Sequence, residues 1–151
     1  MAPHIPTVVF PPGTEMTDIR KTKPILLHAI ISAAIGTIQP NLQLPLVNDF
    51  YKVIAERIVV KGEKSLDLVQ AIIVNCNWYT PPDHFEELKF YQLSHMAVSV
   101  AMDIGMYRRP MPKSRPWNLV KDLLVKKSPS QDPDSAEARR AWLGCYFLAV
   151  Q

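Results

Sequence analysis

Three observations predict an all-α protein, a multi-helix bundle built from antiparallel helical hairpins. Apolar residues recur at helical spacing along most of the chain, and helix-start and helix-stop residues punctuate those runs. No stretch alternates apolar and polar residues in the manner of a half-buried strand. With 151 residues, 48% of them hydrophobic and 21% charged, the chain has the size of one domain and can bury a core without covalent staples.

Residues 1–23 read as a lead-in segment. Pro3, Pro6, Pro11 and Pro12 rule out helix and central strand there, and Thr17–Thr22 suits one short turn. Pro24 suits a first helical position, where its missing N–H would be unpaired in any case. Ile25–Ile35 is apolar on nearly every side, which predicts a buried helix closed by Gly36 and Pro40. Leu46, Phe50, Ile54 and Ile58 predict a second helix over Pro45–Val60. Lys61 then sits near the negative end of the helix dipole, and Gly62 supplies a left-handed cap. Ser65 caps the next helix, whose stripe is Leu68, Val69, Ile72, Cys76 and Tyr79. The short connection predicts that these two helices form an antiparallel pair.

Pro81-Pro82-Asp83 breaks the chain and offers Asp83 as an N-cap. The longest helix is expected over His84–Ile104, stopped by Gly105. One stripe holds Leu93, Met96, Ala97, Val100 and Ile104, and a second holds Leu88, Tyr91, Val98 and Met102, so this helix should lie between layers. Asp134 with Glu137 makes a capping box ahead of a final stripe of Ala138, Ala141, Trp142, Cys145 and Ala149. The chain thus divides into a lead-in over 1–23, a helical core over 24–105, a proline-rich connecting loop over 106–133 and a final helix over 134–151. No stop signal precedes Gln151, so the chain is expected to be part of a larger helical domain, with its last stripe partly unpartnered.

Composition excludes several function classes. A net charge of +3 with interspersed signs does not make a polyanion-binding stripe. Two distant cysteines are no disulfide framework and fit a reducing compartment. No secretory signal opens the chain, and Ile25–Ile35 falls short of the roughly 20 residues a membrane span needs.

Candidate chemistry is sparse. His84 and His95, on one continuous helix, would stand about 16 Å apart and could not share a metal. Cys76 and Cys145 lie in apolar stripes, where burial makes a thiol a poor nucleophile. Asp103 and His95 are two turns apart and cannot touch directly. Arg108, Arg109, Lys113 and Arg115 form a basic cluster that reads as a solvated loop after a helix C-terminus before it reads as a phosphate site or import signal. Arg139 and Arg140 suit a structural ion pair. Trp78, Tyr79 and Trp142 suit core packing ahead of a ligand pocket. No catalytic, cofactor-binding or metal-binding residues are therefore expected, and the chain is not expected to be an enzyme.

Four motifs carry a resemblance. Val8-Val9-Phe10-Pro11 with Lys23-Pro24-Ile25-Leu26-Leu27 is the first, and Lys61-Gly62-Glu63-Lys64-Ser65 running to Trp78-Tyr79 is the second. Ala101-Met102-Asp103-Ile104-Gly105-Met106-Tyr107-Arg108-Arg109-Pro110 is the third, and Glu137–Tyr146 the fourth. Together they resemble the regulatory middle homology region of fungal zinc-cluster transcription factors, here without the six-cysteine cluster. The resemblance implies a helical regulatory domain of a nuclear factor that modulates transcription without itself binding DNA. DNA and zinc would belong to the missing N-terminal cluster of the parent protein. Self-association, protein co-regulators and a small-molecule inducer are the partners it implies, with no membrane. The alternative is a small α-helical scaffold or adaptor binding a protein partner through exposed helix faces.

Overall fold

The computed structural model describes residues 6–82, 84–107 and 135–150. Its elements, in order, are α1 (Met16–Thr22), α2 (Pro24–Ile35), α3 (Pro40–Ile54) running on into a π turn (Ala55–Val60), α4 (Leu66–Asn77), a 3-10 turn (Phe85–Glu87), α5 (Phe90–Asp103) and α6 (Ala136–Val150). No strand occurs among the described residues, so the all-α expectation holds.

The fold is organised around α4. Ser65 caps it, its Oγ accepting the N–H of Leu68 at 3.2 Å. Every residue from Leu66 to Cys76 is buried, because α2, α5 and α6 all pack against this helix. The layer-spanning position expected for the helix before Gly105 therefore belongs to α4. A stripe count misses this because Asp67, Gln70 and Asn75 look like a solvated side, yet all three are buried. The expected pairing of α4 with the preceding helix is also replaced: α3 packs chiefly on α2.

Several boundaries differ from expectation. α3 starts at Pro40, which takes the first helical position, and Pro45 lies inside the helix. Phe50 and Ile54 are fully buried as the periodicity requires. The final turn widens: Lys61 N–H bonds the Glu56 carbonyl at 2.9 Å, and Glu63 N–H reaches back to Arg57 at 2.8 Å. The Arg57 guanidinium grips both Glu63 carboxylate oxygens at 3.0 Å and braces the turn. Gly62 has φ +65°, the left-handed conformation expected of it.

The helix expected from His84 begins only at Phe90. The segment ahead of it has little to bury, with Phe85 86% exposed, and the Tyr79 hydroxyl takes the N–H of Lys89 at 2.8 Å. His84 and His95 thus do not share a helix. Of the second stripe, Leu88, Tyr91 and Met102 are exposed and Val98 alone packs against the core, so α5 buries chiefly its first stripe, against α4 and α6. On α6, Ala138, Ala141, Gly144, Cys145 and Leu148 are buried. The unpartnered face is the opposite one, Leu143, Tyr146, Phe147 and Val150. Asp83, Asp134 and the basic cluster from Arg108 to Arg115 lie outside the described residues. Ser135 supplies the cap seen on α6, its Oγ accepting the Ala138 N–H at 3.1 Å.

The start of α2 shows how the buried polar groups of α4 are used. A helix leaves its first four N–H groups without internal partners. Pro24 has none to leave, and the N–H of Leu27 bonds the Lys23 carbonyl at 3.0 Å. The two that remain, on Ile25 and Leu26, donate to Asp67 Oδ2 at 3.2 Å and Oδ1 at 2.8 Å. Asp67 thus acts as an N-cap supplied from another helix, with its negative charge at the positive end of the α2 dipole. Burial pushes its carboxyl above the ordinary aspartate range, outweighing the two N–H donors and Lys23. Asp67→Ala strands both N–H groups in a dry environment and should cost about 3 kcal/mol in chemical denaturation. Asp67→Asn keeps one acceptor and should cost roughly half as much. Equal, small losses for both variants would show that the cap contributes little.

Candidate functional site

A polar cluster joining three segments lies where the α1–α2 junction, α4 and α6 meet. Lys23, in the one-residue junction between α1 and α2, points its ammonium at Gln70 Oε1, 2.9 Å away, and at Glu137 Oε1. Gln70 Nε2 donates to the same Glu137 oxygen at 3.0 Å. The Gln70 amide is fully buried on α4, so both its ends must be satisfied, and Lys23 and Glu137 do this with opposite charges. The cluster holds the start of α6 against the start of α2.

Beside it opens a cleft of about 560 Å³. Val9, Phe10, Pro11 and Pro12 form one wall, Ile19 and Thr22 of α1 a second, and Ala136, Glu137 and Arg140 of α6 the third. The volume falls in the range of small-molecule sites, and mostly apolar walls with a few convergent polar groups are what such sites share. Lys23 and Glu137 are already paired with each other. Arg140, which lines the cleft, makes no hydrogen bond or ion pair among the described residues, and its guanidinium suits a planar acceptor.

The segment over residues 6–12, which carries the first wall, meets α4 and α6 at Thr7. Val8 is buried, and Thr7 lies directly over Gly144. A Cβ at Gly144 would stand 3.0 Å from Thr7 Cγ2 and 3.1 Å from Ile73 Cδ1, so the absent side chain is what admits the segment.

The residues weighed from the sequence are scattered. Cys76 and Cys145 are both buried and near enough to influence one another. Burial pushes each thiol up to about 12, with Cys145 adding to the effect at Cys76. Two buried thiols cannot build a six-thiolate zinc cluster, so these residues do not fit that metal site. Asp103 pairs with Lys64 at 2.8 Å, on exposed surface, and His95 is exposed. Trp78, Tyr79 and Trp142 pack against the core and do not line the cleft. At the far end of α4, burial pushes the Tyr51 hydroxyl up to about 12, with Tyr79 and Cys76 adding to the shift.

Sequence reasoning missed Lys23 and Gln70 as site residues, and for Arg140 it put a structural ion pair ahead of a ligand site. The available signal was a glutamine centred in an unbroken apolar run, which predicts a buried amide in need of partners.

A family profile described as "WAR1 C-terminal domain" matches residues 1–151. The chain is 32% identical over 154 residues to the transcription factor pbcR of Emericella nidulans, covering 98% of this chain and 21% of that protein. It is 26% identical over 148 residues to the transcriptional regulator WAR1 of Candida albicans, covering 96% of this chain and 15% of that protein. The transcription factor opdL of Penicillium oxalicum is 24% identical over 149 residues, 26% of its length. The chain thus spans about a quarter or less of these relatives, which are transcription factors and not enzymes. No solved structure matches it significantly. The resemblance to fungal transcription regulators read from the four motifs is borne out, and the chain belongs to the WAR1 C-terminal domain family.

Proposed function

We propose that these residues are the effector-responsive regulatory part of a longer fungal transcription factor, acting in the nucleus. DNA contact and zinc are assigned to a cluster outside this chain. The observation that carries the reading is the match along the whole chain to a family whose relatives are named as transcription regulators. The effector part of the reading is supported by the cleft beside the cluster that joins the α1–α2 junction, α4 and α6. A small, largely apolar molecule carrying a hydrogen-bond acceptor toward Arg140 suits its walls. Occupancy would bear on Glu137, and so on how α6 is seated.

A second reading, as a surface for a protein co-regulator, is favoured by the exposed apolar face of α6 at Leu143, Tyr146, Phe147 and Val150. The two readings are compatible, since α6 contributes to both.

The test uses the longer factor in its own cells. Arg140→Ala alters the cleft but not the buried cluster, so it should leave stability within about 0.5 kcal/mol. It should change reporter transcription while promoter occupancy, measured by chromatin immunoprecipitation, stays constant. A parallel fall in occupancy would instead tie this region to DNA binding. Glu137→Ala leaves the Gln70 Nε2 without its acceptor and Lys23 with Gln70 Oε1 alone, and should cost about 2–3 kcal/mol in chemical denaturation of the chain. A loss no larger than that of Arg140→Ala would mean that the cluster does not hold α6.

A further inference from the structure

We propose that residues 6–12 are a releasable strap, a segment seated by Val8 and by Thr7 against Gly144 that lifts while the helices stay folded, and whose docking creates the cleft. The cleft's role rests on the functional reading above; the strap's release does not.

Three observations point to release. First, the strap is attached without hydrogen bonds: among the described residues, nothing from Thr7 to Phe10 bonds to the helical body. Thr14 bonds back to Pro11, which shapes the end of the strap without fastening it. What holds it is apolar contact, chiefly Val8, with Phe10 packed partly against the core. A segment with few buried contacts and no ladder belongs to the low-stability end of a fold and opens ahead of the rest.

Second, docking carries a built-in opposing term. The Thr7 hydroxyl is buried with no partner among the described residues. It regains water whenever the strap lifts, so it favours the open state. A valine of the same shape would not, and the groove, shaped by Gly144, has room for that side chain as it does for threonine.

Third, the strap provides one whole wall of the cleft, Val9 to Pro12. Lifting it leaves Lys23, Glu137 and Arg140 on an open surface. By linkage, any molecule that binds the closed cleft must hold the strap down, and a strap that is released must weaken that molecule's binding. Release would also uncover the α6 groove around Gly144, giving the device a second surface to present.

The experiment needs no ligand. In the full chain carrying Val8→Cys, the rate of modification by an aromatic disulfide reagent is compared with those of the native Cys76 and Cys145 thiols. Both native thiols are buried in the helical core and report its opening. The strap thiol should react at least about 100-fold faster than either, and adding Thr7→Val should slow it by about tenfold. If the strap thiol reacts in step with the native pair, the segment opens only with the whole fold and the proposal is wrong. If Thr7→Val leaves the rate unchanged, the opposing role of the hydroxyl is wrong. Failure to find an effector for the cleft would leave both results standing, and a rigid strap would leave the cleft as a static site.

Discussion

A helix buried on every side must find partners for whatever polar groups it buries, and α4 buries three. Asp67 and Gln70 meet this constraint by reaching into neighbouring elements. Asp67 closes the account of unpaired N–H groups at the start of α2, where Pro24 and Lys23 offer no side-chain cap. Gln70 draws in Lys23 and Glu137 and so fixes the start of α6. Apolar burial supplies most of the driving force for collapse, but it is non-directional. The polar contacts choose among the ways in which greasy helices can be stacked, because a slipped register would strand a buried carboxylate and a buried amide. Asn75 is the exception, with its Oδ1 unpartnered among the described residues.

The same contacts place the candidate site. Lys23 is fixed by Gln70, and Glu137 by both, so the cleft's polar edge is anchored to α4 and α6. Its other wall is the opposite in character, an extended segment held by side-chain burial alone. A rigid polar edge facing a weakly attached wall is a reasonable physical basis for a sensor, because small changes in binding energy act on the one part able to move. The small residues of α6 serve this arrangement, with Gly144 opening the groove and Ala138 and Ala141 allowing close approach to the core.

Much of the fold was legible in the sequence. Pro24, Gly62 and Ser65 mark helix ends through local backbone chemistry, and local chemistry is what a sequence displays directly. Phe50 and Ile54 were found by periodicity for the same reason. The errors arose where tertiary context decides. α4 looked amphipathic because its buried Asp67 and Gln70 are indistinguishable, in sequence, from solvated residues. The stretch from His84 looked helical because Leu88 and Tyr91 extend a stripe that the fold leaves largely exposed. The site was less legible still, since Lys23, Gln70 and Glu137 come together only through packing. The regulatory family, by contrast, was readable from four short motifs in order.

The central claim is that Asp67 bonds to the amides of α2, and nuclear magnetic resonance can test it directly. In a pH titration of the chain, the amide protons of Ile25 and Leu26 should shift together, at one midpoint shared with the Asp67 carboxyl and lying above the ordinary aspartate range. Amide resonances that stay fixed while Asp67 titrates, or that move with different midpoints, would contradict the account.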